Sequence, residues 1–350
     1  MYPDYSESNA YQRHLRDAIG ERGYDVRMVT ADTSLPLLDA VREHGRPEVF
    51  HINWLHRHFV TDSKVLTALL ALRLLFELVV LRALGVELVW TVHNLVEHGR
   101  RMPRLELGVR RIAARLCDRI IVHCESAREL VVETYRLPES TQERIEVIPH
   151  GHYVDSYPNE VDRETARDSL GFDDDQTVYL YFGLIRSYKN VPNLVRTFST
   201  LDAPDARLLV VGNPMSDRLE SEVRTLCSKD DRITCVLEFV PDEEIQDYMN
   251  AADAVVLPFE EVLTSGTAIL AMSFGRALIA PRAGCVAELL DGDDLLGYPP
   301  NDPEGLHESL VSALDADLEA LGEYNRERAD TLDWEGIADR TVRAYARGAR

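Results

Sequence analysis

The chain has 350 residues, 45% hydrophobic and 28% charged, which is enough for two domains of ordinary size. Its 60 Asp and Glu outweigh 38 Lys and Arg to give a net charge of −22, and Lys64, Lys189 and Lys229 are the only lysines. That balance excludes a generic nucleic-acid binder, which needs a basic footprint. Dense carboxylates with few lysines suit a protein kept soluble in high salt, where self-repulsion is screened, so a halophilic source is expected.

The five cysteines (Cys117, Cys124, Cys227, Cys235, Cys285) form no C-x-x-C pair and no zinc spacing, and read as buried thiols in a reducing, cytoplasmic compartment. The polar, aromatic start does not read as a signal peptide. Tyr2-Pro3-Asp4-Tyr5 resembles the loop after a first strand, yet almost no strand precedes it. Either the start is misplaced or the sheet lacks part of that strand. A helix over Asn9 to Gly20 follows from Tyr11, Leu15 and Ile19, then a strand over Asp25 to Val29, a helix over Ser34 to His44 and a strand over Val49 to Asn53.

Val65 to Leu84 approaches membrane-spanning length, but Arg73, Glu77 and Arg82 interrupt it. It reads as a helix flanking a parallel sheet, with peripheral contact at the inner face of a membrane as the sharper alternative. Strands over Glu87 to Val92, Arg119 to His123 and Ile145 to Ile148 alternate with helices over Arg104 to Leu116 and Ser126 to Tyr135. The clusters His51/Asn53, His93/Asn94/His98 and His123/Glu125 fall at strand carboxyl ends, where ligands bind in such sheets.

Tyr153 to Asp175 reads as a linker with a helix over Glu164 to Ser169. The alternation then restarts: strands over Thr177 to Phe182, Ala206 to Val211, Ile233 to Leu237, Ala254 to Leu257 and Ala277 to Ala280. Helices are expected over Val191 to Phe198, Arg218 to Cys227, Asp242 to Ala251, Val286 to Leu290 and Pro303 to Leu321, and from Trp334 to the end. Another opens at Thr264-Ser265, which suit an N-cap, and stops at Gly275. The pattern predicts two α/β domains in tandem with a cleft between them: 1–152, 153–330, and a C-terminal helix, 331–350, packing back toward the first.

No G-x-G-x-x-G follows either first strand, and there is no P-loop, G-x-S-x-G or H-E-x-x-H, so no cofactor is expected. No Asp-x-Asp stands at a strand end, and Asp173 to Asp175 and Asp291 to Asp294 read as solvated loops, so no metal is expected either. Phe182-Gly183-Leu184-Ile185-Arg186-Ser187-Tyr188-Lys189-Asn190 instead places two cations three apart after a glycine. With the helix N-terminus at Thr264, Ser265, Gly266 and Thr267, they could hold a diphosphate from two sides.

The ordered segments FGLIRSYKN, LLVVGNP, FVPDEEIQDYMNAADAVVLPF, TSGTAILAMSFGRALIAP and AGCVAELLDG, with TVHNLVEH and IPHGHY in the first half, resemble nucleotide-sugar glycosyltransferases of family 4 and group 1. The resemblance implies the GT-B fold, two Rossmann-like doubly wound domains facing a central cleft. It implies transfer of a sugar from a nucleotide-diphosphate donor to a glycan, lipid-linked or small acceptor, with retention and without a metal. By the same likeness Gly183, Arg186, Lys189 and Thr264 to Thr267 match the donor-diphosphate loops, and Glu238, Phe239 and Val240 the segment edging the nucleobase. His93 matches the histidine near the transferred sugar, with Asn94 and His98 beside it, and Asn9, Tyr11 and Gln12 the acceptor loop. The family often carries two glutamates eight positions apart, where this chain has Val262 and Leu270. The carboxylate role then passes to Glu261, or the sugar is read through Thr-Ser-Gly. The alternatives are a non-catalytic nucleotide-sugar or glycan-binding relative, motivated by Leu270, and a nucleotide-sugar epimerase.

The acidity generates a direct test. Dialysis to low ionic strength should unfold the chain, followed by far-ultraviolet circular dichroism. Full retention of signal at low salt would contradict a halophilic adaptation.

Overall fold

A computed structural model describes residues 1–30, 33–96, 102–290 and 296–346. In chain order the elements begin with α1 (Ala10–Gly20), α2 (Pro36–His44), β1 (Val49–Ile52), α3 (Lys64–Ala83), β2 (Glu87–Thr91) and α4 (Pro103–Leu116). Next come β3 (Arg119–Val122), α5 (Glu125–Tyr135), α6 (Glu139–Gln142), β4 (Ile145–Val147), α7 (Arg163–Leu170), β5 (Thr177–Phe182) and α8 (Val191–Phe198). They continue with β6 (Ala206–Val211), α9 (Asp217–Cys227), β7 (Ile233–Val236), α10 (Ile245–Ala251), β8 (Ala254–Val256), α11 (Gly266–Ser273) and β9 (Ala277–Pro281). The last are α12 (Gly284–Leu289), β10 (Gly297–Tyr298), α13 (Gly305–Asp315), α14 (Leu318–Asp330) and α15 (Trp334–Ala346).

The chain divides into two compact units, Met1–Gly151 with Asp333–Arg350, and His152–Leu332. In the first, the described strands form a parallel sheet in the order β1-β2-β3-β4. Tyr2 adds a single parallel bridge to Ile52, all that stands where a first strand was expected. The strand expected over Asp25 to Val29 does not form. That segment hydrogen-bonds only at a few points to the first residues, Val29 N to Met1 O and Asp4 N to Val29 O, so it lacks a ladder to join. α15 completes the first unit by packing on α1 and burying Ile337, Ala344 and Tyr345 against Leu15 and Ile19.

In the second unit the described strands are all parallel, in the order β10-β9-β8-β5-β6-β7. The order reverses direction between β5 and β8, so the loops leaving these two strands splay to opposite faces and open a crevice at their carboxyl ends. Apolar residues of β5, β6, β8 and β9 are buried on both faces, as a parallel sheet covered by helices requires. Asp173 and Asp174 have a structural role: their carbonyls accept from Arg167 Nη1, and Arg167 also pairs with Asp253. The helix expected over Pro303 to Leu321 is two helices. Ala316 is extended, and Asp317 caps α14 by accepting from Ala320 N. The helix expected from Asp242 starts as a 3-10 turn over Asp242–Glu244. Of the five cysteines expected as thiols, Cys117 and Cys227 are buried and free and Cys235 is half-buried and free, whereas Cys124 and Cys285 are not free thiols.

Candidate functional site

In the second unit, β5 ends at Phe182 and Gly183 turns the chain with φ +116°, a region that L side chains rarely adopt. The turn lies against β6, where a side chain at Gly212 (φ +145°) would overlap the Gly183 carbonyl. The following residues are laced to the β6 exit by Ile185 N to Asn213 O and Met215 N to Ile185 O. A 3-10 turn over Ser187–Lys189 then brings Lys189 back over the strand end. A β-carbon placed on Gly183 would lie 3.3 Å from Thr267 Oγ1 and 3.4 Å from Lys189 Nζ. The structure therefore brings together the glycine, the lysine and the start of α11, which are up to 84 positions apart in sequence.

Ser265 caps α11, its Oγ accepting from Ala268 N at 3.1 Å. This leaves the amides of Gly266 and Thr267 at the positive end of the helix macrodipole. Gly266 also leaves room for Tyr153, whose hydroxyl would stand 3.3 Å from a β-carbon there. Tyr153 is held by its own amide, which donates to Ser273 Oγ on α11. Sequence reasoning placed Tyr153 in the linker and missed it, since nothing local ties it to a helix begun more than a hundred residues later.

Lys189 is half-buried, with Nζ 5.6 Å from the centre of the Phe259 ring. Desolvation, with the Arg186 charge adding to it, lowers its pKa to about 8. Neither cation has a carboxylate partner among the described residues, although the chain is rich in them. A desolvated lysine, a second cation in the same loop, a helix N-terminus and a bare glycine backbone are the groups that a compact polyanion would need.

Glu260 N donates to Tyr188 O, so the loop carrying Glu260 and Glu261 is fastened beside the lysine turn, and both side chains are exposed. Leu270 is buried within α11 and Val262 is half-buried. The Val262 and Leu263 carbonyls crowd Gly284, which itself has φ +51°. Glu238, Phe239 and Val240 follow β7, the edge strand, and Phe239 is 72% exposed. Among the described residues no group of three or more His, Cys, Asp or Glu side chains could hold a metal ion.

The first unit presents a different environment at its strand ends. Asn53 follows β1, His93 follows β2, His123 follows β3 and His150 follows β4. His93 Nε2 donates to Asn53 Oδ1 at 3.1 Å, and its ring stacks on Trp54 with centroids 4.6 Å apart. His123 Nδ1 donates to Ile148 O at 2.9 Å. Tyr11 from α1 packs edge-on against both rings and against Trp334. His51 bonds Tyr345 Oη and Thr91 Oγ1, each at 2.7 Å. Burial lowers every one of these imidazoles: His51 and His150 to about 3, His123 to about 4, His93 well below the ordinary value. All are neutral near pH 7.

Two buried polar atoms flank His93 without a partner among the described residues, Asn53 Nδ2 and His123 Nε2. Asn9, expected near an acceptor, spends its side chain capping α1 by accepting from Gln12 N. Asn94 contributes its carbonyl to Arg110, which is itself buried against Glu106 and anchors the loop after β2. His98 lies outside the described residues. Trp54, His150 and Trp334 were not singled out from sequence, because their ring contacts join separate segments.

Two family models match the chain: Glycosyltransferase Family 4 over residues 8–155 and Glycosyl transferases group 1 over residues 176–316. The chain is 28% identical over 291 residues to GDP-mannose:glycolipid 4-β-D-mannosyltransferase of Xanthomonas campestris pv. campestris, covering 82% of this chain and 73% of that protein. It is 29% identical over 288 residues to α-maltose-1-phosphate synthase of Mycolicibacterium smegmatis, covering 75% and 73%. Among solved structures, sucrose-phosphate synthase from Thermosynechococcus elongatus matches with a TM-score of 0.74 at 21% identity, over 97% of this chain and 92% of that one. Anabaena HepE in complex with UDP and glucose matches with a TM-score of 0.73 at 15% identity, over 98% and 96%.

The lowered pKa of Lys189 has a defined sign. Its charged form is disfavoured in the fold, so it loses its proton near pH 8 and with it the attraction for an anion. Affinity for inorganic diphosphate, measured by calorimetry, should fall as pH rises through about 8, and Lys189→Arg should flatten that fall. A pH-independent wild type would separate the lysine from the anion site.

Proposed function

We propose that this chain, which belongs to the GT-B glycosyltransferases of the group 1 and family 4 class, takes a nucleoside-diphosphate sugar as donor and transfers the sugar to a hydroxyl acceptor. The observation that carries this reading is the convergence of Gly183, Lys189 and Thr267 at the β5–β8 switch point. Arg186, Lys189 and the N-terminus of α11 hold the donor diphosphate. Phe239 and the backbone of Glu238 and Val240 lie along the nucleobase.

As the bond from the anomeric carbon to the phosphate oxygen lengthens, negative charge gathers on the diphosphate and the sugar gains oxocarbenium character. Fixed cations and helix amides aimed at that charge stabilise the departing group. Lys189 regains proton affinity as the charge develops, so it is positioned to stay protonated through the step. The acceptor is a glycan, a lipid-linked saccharide or a small molecule bound by the first unit, with Tyr11, Asn94 and His93 on its side. A glycolipid is the acceptor class in the name of the mannosyltransferase relatives.

Retention of configuration is favoured by the imidazoles. Held neutral with pKa values driven far down, His93 and His123 are weak bases for deprotonating an acceptor from the opposite face. In a front-side reaction the leaving diphosphate oxygen takes that proton, and no strong protein base is needed. Glu261 then serves to orient the sugar hydroxyls from its loop.

The test is donor turnover by the purified chain across a panel of nucleotide sugars, read by released nucleoside diphosphate. A charge-assisted contact contributes about 1.5–3 kcal/mol, so Arg186→Ala and Lys189→Ala should each lower kcat/KM by about 10- to 100-fold. Unchanged turnover in both variants would overturn the diphosphate assignment. A wild type that binds donors without turning any over would favour the non-catalytic reading that Leu270 raises.

A further inference from the structure

α3 is apolar on two sides. Its inner side, Ala71, Leu74, Leu78 and Leu81, is buried in the first unit. Its outer side carries Val65, Leu69, Leu72, Phe76 and Val79, which are 71%, 58%, 66%, 55% and 51% exposed. The spacing of four, three, four and three residues keeps these side chains in one stripe along the helix. Contiguous exposed apolar surface of this length marks an interaction site in a folded protein.

The charges around the stripe identify its occupant. α4 packs beside α3, and both are crossovers between consecutive parallel strands of one sheet, which places them on the same sheet face. The carboxylates of these two helices, Glu77 and Glu106, are both buried: Glu77 accepts from the Leu37 and Leu38 amides, and Glu106 pairs with Arg110. Neither helix exposes an acid. Lys64, Arg104 and Arg115 are exposed on them, Arg82 is exposed but paired with Asp118 at 2.9 Å, and Ile112 adds apolar surface on α4. From Lys64 to Leu116 the chain has nine Lys or Arg and four Glu, against 38 and 60 in the whole chain.

We propose that the outer face of α3, with the basic rim supplied by α3 and α4, docks the protein on the surface of an anionic phospholipid leaflet. The stripe enters the boundary between headgroups and acyl chains while the guanidinium groups remain among the lipid phosphates. Among the described residues no helix is long and apolar enough to cross a membrane, so the contact is interfacial. A second copy of the chain is the less favourable occupant. Pairing two such faces would bring basic rims together, on molecules that each carry a net charge of −22. The negative surface of a leaflet attracts this one cationic face and repels the rest, which orients the molecule as well as holding it. The inference does not rest on sugar transfer, because docking needs neither donor nor acceptor.

The experiment is co-sedimentation of the full chain with extruded vesicles, one set of phosphatidylglycerol and phosphatidylcholine and one of phosphatidylcholine alone, at salt descending only as far as circular dichroism shows the chain folded. The chain should pellet with the anionic vesicles, more so as salt falls, and far less with phosphatidylcholine. Leu72→Asp with Phe76→Asp, both at exposed positions, should lower vesicle affinity at least tenfold with an unchanged circular dichroism melt. Arg104→Ser with Arg115→Ser should remove most of the preference for anionic lipid, and keeps the test open should the first pair disturb the helix. The proposal is overturned if the wild type stays in the supernatant with anionic vesicles, or if the Asp variant pellets as well as the wild type. It is equally overturned if sedimentation equilibrium shows a dimer that Phe76→Asp dissociates.

Discussion

The close approach of backbone at the end of β5 is the constraint on which the second unit's site depends. Gly183 must lie against Gly212 on one side and leave space for Thr267 and Lys189 on the other, and a β-carbon at either glycine would close one of those gaps. The requirement comes from topology. A parallel sheet that reverses its strand order opens a crevice at the reversal, and β5 and β8 are the strands that flank it here. The loop after β5 brings two cations and the segment after β8 brings a helix N-terminus. Each alone is a common feature of α/β proteins; here Lys189 Nζ and Thr267 Oγ1 both come within a few ångströms of Gly183.

The two units handle charge in opposite ways. Among the described residues the second keeps Lys189 and Arg186 without carboxylate partners, and desolvation depresses the lysine pKa. The first removes charge from its strand ends, where burial keeps four histidines neutral and aromatic rings fill the space between them. A cationic crevice suits the leaving group. On the proposed reading, the cationic loop serves the donor and the neutral strand ends serve the acceptor.

Much of this was legible in the sequence, because strand ends and glycine-containing loops carry their own signals. Gly183, Arg186, Lys189 and Thr264 to Thr267 could be read as a set since the alternation of strands and helices fixes which loops share a sheet edge. The strand misread at Asp25 to Val29 has the right residues but no neighbouring ladder, and pairing depends on a partner that local sequence does not reveal. The break between α13 and α14 was signalled by Asp317 as a cap, but the apolar periodicity running across it hid the signal. Tyr153, Trp54 and Trp334 owe their positions to tertiary packing alone. Leu270 shows the opposite limit, for the residue is plain in the sequence and only its burial in α11 explains why a carboxylate would be costly there.

On the proposed reading this cradle recognises two linked phosphates. Calorimetric comparison of a nucleoside diphosphate with its monophosphate on the intact chain tests it most directly, since both carry the same base and ribose. Loss of the distal phosphate removes contacts worth about 1.5–3 kcal/mol, so the account predicts that the diphosphate binds about 10- to 100-fold more tightly. Equal affinities would contradict it.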